Sequence, residues 1–392
     1  MRGLRAPRRG PQLNDLGIIH DGSLLIRDGR LVEVGTTRRV ENLAEARNAL
    51  EINALGRVVM PGFVDSHTHL VFPPPGEAGD PEDLAADQAA RALRTITGKR
   101  LAHCARGHLE AMARHGTTTV EAKTGCGPDE SAETKVLRVL ATLKRDPLDV
   151  IATFLWRLPP NGDGWAATEW VVAELLPKIR RRRWARFADL AWQDGEANAR
   201  CFRRYFQAAR SLGFACKIHA DRSCPSAAIA MAREHSVVSI DHFGHSTPAD
   251  AALLADSSTI VTLLPSAWWQ SGQPGPAARG FLDAGAAIAL ASNFHPHHSP
   301  AMSMQTTVSL ACLQMGMTPA EAISAATING AYALGWGDRV GSLELGKAAD
   351  LVILNVADYR EIAQRFGTNL VHMTVKRGEC IYKEGDVGCR AI

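Results

Sequence analysis

Short apolar runs alternate with longer amphipathic stretches along most of the chain from residue 61 onward. Each run has four to eight residues, is rich in Val, Ile, Thr or Phe, and is bounded by polar or turn-forming residues. These features favour buried strands. The eight runs are FVDSHT (63–68), TTTVEAK (117–123), DVIATFL (149–155), FADLAW (187–192), FACKIHA (214–220), VVSIDHF (237–243), TIVTLL (259–264) and AAIALAS (286–292).

The segments between these runs have the pattern of helices, as in DESAETKVLRVLATLKRD (129–146) and ANARCFRRYFQAARSLG (197–213). The second segment ends at Gly213, a residue typical of a helix C-terminus. Eight strands separated by helical crossovers predict a parallel (β/α)8 TIM barrel over residues 61–340. The alternative, an open doubly wound sheet, would need a glycine-rich phosphate turn after the first strand, and HTHLVFPPPG is not one.

The two ends of the chain have a different pattern. GSLLIRDGRLVEVG (22–35) contains two alternating strands around an Asp-Gly turn, which predicts a hairpin. Residues 341–385 again contain strand-like segments punctuated by glycine. The simplest assembly is a small β-sandwich domain that is built from residues 1–60 and 341–392 and flanks the barrel.

Composition and charge exclude several classes of partner. With 44 basic against 41 acidic residues, the chain has no excess charge for a polyanion. The short basic clusters RGLRAPRR and IRRRRWAR are interpreted as solvated surface, so no nucleic-acid partner is expected.

No segment approaches the ~20 apolar residues of a membrane span. The N-terminus lacks a signal-peptide pattern, and the eight cysteines form no C-x-x-C pair, as in a cytoplasmic enzyme with reduced thiols.

Polar side chains follow the predicted strands at the end of a barrel where enzymes of this architecture carry their active sites. Five of the eight strand ends bring imidazole or amide groups to one mouth. In strand order the residues are His67 and His69, then Lys123, Arg157, Gln193 with Asp194, His219, His242, Ser266 and Asn293.

Three of these histidines predict a metal site. His67 and His69 are two residues apart, so both face the same side of a strand. Two buried imidazoles this close together are costly unless they form hydrogen bonds, differ in protonation state or bind a metal ion. With His219 from strand five they complete three nitrogen ligands, a set that suits a catalytic zinc ion with one open position, and iron or manganese would also fit.

A second group of histidines, His295, His297 and His298, follows Asn293 in a loop that contains two prolines. The loop has no carboxylate neighbour in sequence, so a separate metal cluster is not favoured there. We expect these histidines to flank the site.

The motifs PGFVDSHTHLVF (61–72), KTGCG (123–127) and SIDHF (239–243) resemble those of the amidohydrolase superfamily, and specifically of imidazolonepropionases. The resemblance continues over nearly the whole chain. It implies hydrolysis of the C–N bond of a small cyclic amide, by opening of the imidazolone-propanoate ring in histidine catabolism. It also implies one divalent ion, Zn or Fe, and makes a homodimer a reasonable expectation.

By this resemblance, His67, His69 and His219 match the metal ligands of the family. His242 matches a strand-six histidine that orients the attacked group. Lys123 and Cys126 lie in the strand-two motif. Together with Arg157 and His295, these two residues are predicted to contact the substrate.

Three departures from the family pattern remove carboxylates. Asn293 stands where the family has an aspartate, Arg222 where it has a glutamate used in acid–base chemistry, and Gln193 where it has a glutamate at the end of strand four. General acid–base help is worth roughly 10²–10⁴ in rate. Two hypotheses follow: a hydrolase in which His242, His245 or a loop histidine serves as base, or a noncatalytic relative that binds a small ligand through Arg222 and Lys123.

Overall fold

The computed structural model describes residues 6–73, 86–125, 129–159, 163–220, 225–243, 247–272, 275, 278–297 and 299–385. Its strands, in chain order, are β1 (Gly22–Arg27), β2 (Arg30–Thr36), β3 (Val58–Pro61), β4 (Phe63–Asp65), β5 (Thr117–Lys123), β6 (Asp149–Trp156), β7 (Phe187–Ala191), β8 (Ala215–His219), β9 (Ser239–Asp241), β10 (Ile260–Leu263), β11 (Ala287–Leu290), β12 (Leu351–Leu354), β13 (Val371–Lys376) and β14 (Glu379–Lys383).

The helices lie mainly between the barrel strands. Those of eight or more residues are Ala86–Thr95, Gly98–Arg114, Glu130–Thr142, Glu196–Ser211, Pro225–Glu234, Pro248–Ala255 and Met304–Met315. Shorter helices are Thr37–Glu41, Gly164–Trp170, Leu176–Arg182, Pro265–Ser271, Ala278–Asp283, Pro319–Ser324, Gly330–Ala333 and Glu361–Gln364. Among the residues described, no helix combines the length and apolarity that crossing a bilayer requires.

Strands β4 to β11 form one parallel sheet in which each strand is hydrogen-bonded to the next along the chain. The sheet closes where Thr68 and Phe294 form a parallel bridge and the His69 amide donates to the Phe294 carbonyl at 2.7 Å. All eight predicted runs contain one of these strands. The (β/α)8 barrel is therefore confirmed, and the open-sheet alternative was wrong because the first and last strands meet.

The helix Glu196–Ser211 shows how sequence sets the packing around the sheet. Its buried residues include Phe202, Tyr205 and Phe206, which recur on one face at helical spacing. Just beyond its end, Gly213 has a φ of +80°, the left-handed conformation that terminates a helix at little cost for glycine. This confirms the predicted end of the helix.

Both ends of the chain contribute to the small domain. Strands β1 and β2 form an antiparallel hairpin around Asp28 and Gly29, whose φ values of +51° and +71° suit the tight turn predicted there. Strands β14, β13, β12 and β3 form a four-stranded antiparallel sheet in that order. Leu24 and Ile26 of the hairpin pack against the buried apolar residues of this sheet. The predicted β-sandwich from both termini is confirmed.

One N-terminal segment contacts the barrel, although the predicted domain boundaries place it in the small domain. The Arg8 amide donates to Asn329 Oδ1 at 2.7 Å, and Ser324 Oγ donates to the Leu13 carbonyl at 2.7 Å. Both partners belong to the chain that follows barrel strand β11. Residues 8–13, which were assigned to the small domain, therefore contact the barrel through backbone hydrogen bonds that no hydrophobic pattern indicates.

Candidate metal centre and active site

His67 follows β4 and is fully buried, and its two ring nitrogens have different surroundings. Nδ1 lies 2.8 Å from Asp241 Oδ2. Nε2 is also buried but has no hydrogen-bond partner among the residues described. A buried polar atom without a partner costs free energy, and a divalent ion would satisfy this nitrogen.

Three histidines bring donor nitrogens within 4.8 Å of one another: His67, His219 and His242. The His67 ring centroid lies 5.1 Å from that of His219 and 5.3 Å from that of His242, and the latter two are 4.3 Å apart. His219 ends β8, whereas His242 follows β9 with a φ of +83°, an unusual conformation for a residue other than glycine. The structure thus brings the predicted ligands His67 and His219 together and adds His242.

His69, the third predicted ligand, lies beside this cluster. Its ring centroid is 5.4 Å from that of His67 and 6.1 Å from that of His219. The side chain is half-buried, whereas His67 and His219 are buried. The role of His69 as a ligand remains a prediction. The four rings of His67, His69, His219 and His242 are called here the histidine cluster.

Burial favours the neutral form of two members of the histidine cluster, His67 and His69. Burial lowers the pKa of His67 well below its ordinary value, the charge of Lys123 adds to the effect, and Asp241 opposes it. Burial also lowers the pKa of His69 well below its ordinary value, with further contributions from neighbouring imidazoles and Arg157. A neutral imidazole has the free lone pair that a metal ion requires.

Asn293 lies at the end of strand eight, as predicted, with a φ of +55° and a half-buried side chain. The residues on either side of it tie this strand end to strand one. The Ser292 amide donates to Asp65 Oδ1 at 3.0 Å, and the Phe294 carbonyl accepts from His69. Burial raises the pKa of Asp65 to about 6, although hydrogen bonds from Ser292 oppose the rise. The residue at this end of strand eight is thus a neutral amide beside the histidine cluster.

The loop after Asn293 lies alongside the end of strand one, as the sequence indicated. The His295 ring is 4.3 Å from that of Phe72 and 5.5 Å from that of His69. His297 Nε2 is 2.7 Å from the Pro73 carbonyl oxygen. His295 and His297 therefore flank the candidate site, whereas the prediction for His298 lies outside the described residues.

The predicted substrate-binding residues fall in different places. Lys123 is 1% exposed, and its Nζ lies 2.5 Å from Asp189 and 2.7 Å from Asp241. This placement favours a role inside the barrel over contact with substrate. Arg157 follows β6, is half-buried, and is close enough to His69 to lower the pKa of that histidine. Cys126, Arg222, His245 and His298 lie outside the described residues.

Several buried charged residues were not singled out from the sequence. Besides Asp241 they are Glu121, Asp189 and Lys217, all with 0% exposure. Each stands inside an otherwise apolar run that predicts a strand. Because Asp, Glu and Lys are almost never fully buried unless paired, charges in such runs indicate an ion network in the barrel interior.

Solved structures share this architecture at low sequence identity. An adenosine deaminase from Xanthomonas campestris with bound zinc superposes with a TM-score of 0.69, at 19% identity over 94% of this chain and 90% of that one. A 5-methylcytosine deaminase from Klebsiella pneumoniae superposes with a TM-score of 0.73, at 17% identity over 99% of both chains. These similarities support the barrel and its flanking domain.

Relatives of higher identity define the family. Residues 58–381 match the model of the amidohydrolase family. The imidazolonepropionase of Symbiobacterium thermophilum is 36% identical over 97% of this chain and 95% of its own length. That of Parabacteroides distasonis is 35% identical over 95% and 94%, respectively. The chain is therefore an imidazolonepropionase-like member of the amidohydrolase family.

Proposed function

We propose that this protein is a metal-dependent hydrolase that opens the ring of a small cyclic amide by cleaving its C–N bond, with imidazolonepropionate as the first candidate substrate. One observation carries the proposal: three imidazoles converge at the mouth of a barrel whose sequence is 36% identical to an imidazolonepropionase over nearly its full length. Relatives named as enzymes give no support to a noncatalytic role.

The donor set fits one divalent ion. We assign His67, His69 and His219 as ligands, and the partnerless Nε2 of His67 is the atom that most needs a cation. Nitrogen ligands suit zinc or iron, and zinc is bound in a neighbour with the same fold. When bound, such an ion lowers the pKa of water and polarises the amide carbonyl.

Proton transfer falls to histidine in this proposal, because the Asn293 amide can hydrogen-bond but cannot take up a proton. Two imidazoles lie beside the assigned ligands. The His242 ring is 4.3 Å from that of His219, and the His295 ring is 5.5 Å from that of His69. One of them would accept a proton from the attacking water and return it to the ring nitrogen of the substrate as the C–N bond breaks.

Arg157 gives the site a charge that suits an acidic substrate. Its half-buried guanidinium lies near enough to His69 to affect that residue's pKa. Arginine binds carboxylates through two parallel hydrogen bonds, so the propanoate group is its expected partner. A homodimer is part of the proposal by resemblance to the family.

The test is turnover with metal analysis. Zinc- or iron-loaded protein should open imidazolonepropionate, followed by loss of the ultraviolet absorbance of the ring, and His67→Ala should lose both metal and turnover. His103→Ala is the matched control, because His103 is exposed on the helix Gly98–Arg114 and should behave as wild type. Folded, metal-loaded protein without activity on imidazolonepropionate, lactams, hydantoins or cyclic ureas would contradict the proposal.

A further inference from the structure

Five buried charged side chains cross the barrel interior below the histidine cluster, and we call them the ion network. They come from four strands, and each side chain is 0% exposed. The members are Glu121 and Lys123 on β5, Asp189 on β7, Lys217 on β8 and Asp241 on β9.

The ion network is continuous from one wall of the barrel to the other. Lys217 Nζ lies 2.7 Å from Glu121 Oε2, and Lys123 Nζ lies 3.5 Å from the same oxygen. Lys123 Nζ also contacts Asp189 at 2.5 Å and Asp241 at 2.7 Å. Three carboxylates against two ammonium groups leave one negative charge in the interior, where desolvation makes an uncompensated charge costly.

Asp241 is the end of the ion network that reaches the candidate site. Its Oδ2 lies 2.8 Å from His67 Nδ1 and 2.7 Å from Lys123 Nζ, while its Oδ1 accepts from Ser239 Oγ at 3.0 Å. Both oxygens are thus engaged. Because a carboxylate only accepts hydrogen bonds, His67 Nδ1 must carry the proton, and the lone pair is left on Nε2.

We propose that Asp241 and Lys123 are positioning residues that fix the ring and the tautomer of His67, so that its Nε2 lone pair is ready for the metal ion. The proposal rests on the metal dependence proposed above. Lys123 holds the Asp241 carboxylate in place, and the single negative charge of the network draws a cation to the mouth. Partners of this kind typically contribute 10–100-fold to metal affinity.

A purely structural role of the ion network does not explain why it ends at His67, a proposed metal ligand. The buried atom of His67 that lacks a partner is the one opposite the nitrogen that contacts Asp241. A structural role and a positioning role also differ in their consequences. The first affects stability alone, whereas the second affects the binding of a metal ion.

The test compares affinities for Zn²⁺ and Co²⁺, measured by competition with a chromophoric chelator. Lys123→Met and Asp241→Asn should each weaken binding by about 10–100-fold. Lys376→Met is the matched control, because this lysine is also buried between two aspartates, Asp149 and Asp350. Asp149 begins β6, so this ion pair lies at the end of the barrel opposite the histidine cluster. The metal affinity of this variant should be unchanged. Equal affinity in all variants, or an equal loss in the control, would overturn the proposal.

A second measurement determines the tautomer of His67 in the wild-type protein itself. Metal-free wild-type protein labelled with ¹⁵N-histidine should show His67 as the Nδ1–H tautomer, with its signal assigned by loss in His67→Gln. The Nε2–H tautomer would overturn the proposal. If the wild-type protein binds no divalent ion, the proposed function fails as well. If the wild-type protein is active and binds metal, and Lys123→Met and Asp241→Asn keep the wild-type metal affinity, this inference alone is contradicted.

Discussion

Lys376→Met tests how strongly the small domain is fixed to the barrel. Lys376 ends β13 of the small domain, and its Nζ lies 2.7 Å from Asp149 at the start of β6 and 2.5 Å from Asp350. The three side chains are between 1% and 4% exposed. Arg377 also contacts Asp149, but its side chain is 39% exposed. The substitution removes the buried cation and leaves two carboxylates with weaker compensation.

The size of the effect follows from burial. Removing one partner of a buried ion pair typically costs about 3–5 kcal/mol. An unfolding entropy of about 2.1 cal/mol/K per residue gives roughly 0.8 kcal/mol/K for 392 residues. The substitution should therefore lower Tm by about 4–6 °C.

Calorimetry of chelator-treated protein measures this change without a contribution from bound metal. Lys178→Met is the control, because Lys178 makes an ion pair of similar length, 2.7 Å, with Glu130, but the two side chains are 37% and 42% exposed. An exposed pair contributes about 1 kcal/mol or less, so this variant should shift Tm by roughly 1 °C. Equal shifts in the two variants would refute the argument from burial.

Three further predictions concern single positions. Gly330→Ala should destabilise the fold by about 1–3 kcal/mol, because the added Cβ would lie 2.7 Å from the Val64 carbonyl oxygen. In Gly107→Ala the added Cβ meets nothing within 4 Å, so this variant should stabilise the fold by up to about 1 kcal/mol. Urea unfolding measures both changes. Thr318→Ala should cost about 1 kcal/mol in the same assay, since the Thr318 hydroxyl accepts from the Glu321 amide in a capping box, and no change would contradict that role. Asn293→Asp should tighten Zn²⁺ binding by roughly tenfold or more in chelator competition, because it adds a negative charge beside the histidine cluster; unchanged affinity would place this residue too far from the ion.

The barrel and its flanking domain were predictable because their patterns are local. Apolar runs of strand length, helical crossovers and an Asp-Gly turn each depend on a few consecutive residues. The packing of the N-terminal segment was not predictable in this way. It depends on hydrogen bonds between Arg8 and Asn329, whose positions are 321 residues apart.

The candidate site was predictable only in part. The spacing of His67 and His69 and the position of His219 at a strand end indicated the metal centre. His242 was expected at the same mouth, but its place among donor nitrogens within 4.8 Å of one another, with those of His67 and His219, was not predicted. Nor was the pairing of Lys123 with Asp189, which joins strands that are separated by another strand in the sheet.

The neutral residue at the end of strand eight changes the chemistry of the site in two opposing ways. Asn293 cannot accept a proton, so an imidazole would serve as the base in the proposed hydrolase. Without a carboxylate ligand, the proposed site of His67, His69 and His219 would leave more positive charge on a divalent ion, which would favour the acidification of water and the polarisation of a carbonyl. Asp241, a carboxylate that contacts His67, is already paired with Lys123. The neutral amide would therefore remove one base and also reduce the base strength that the proposed reaction requires, so that an imidazole could serve.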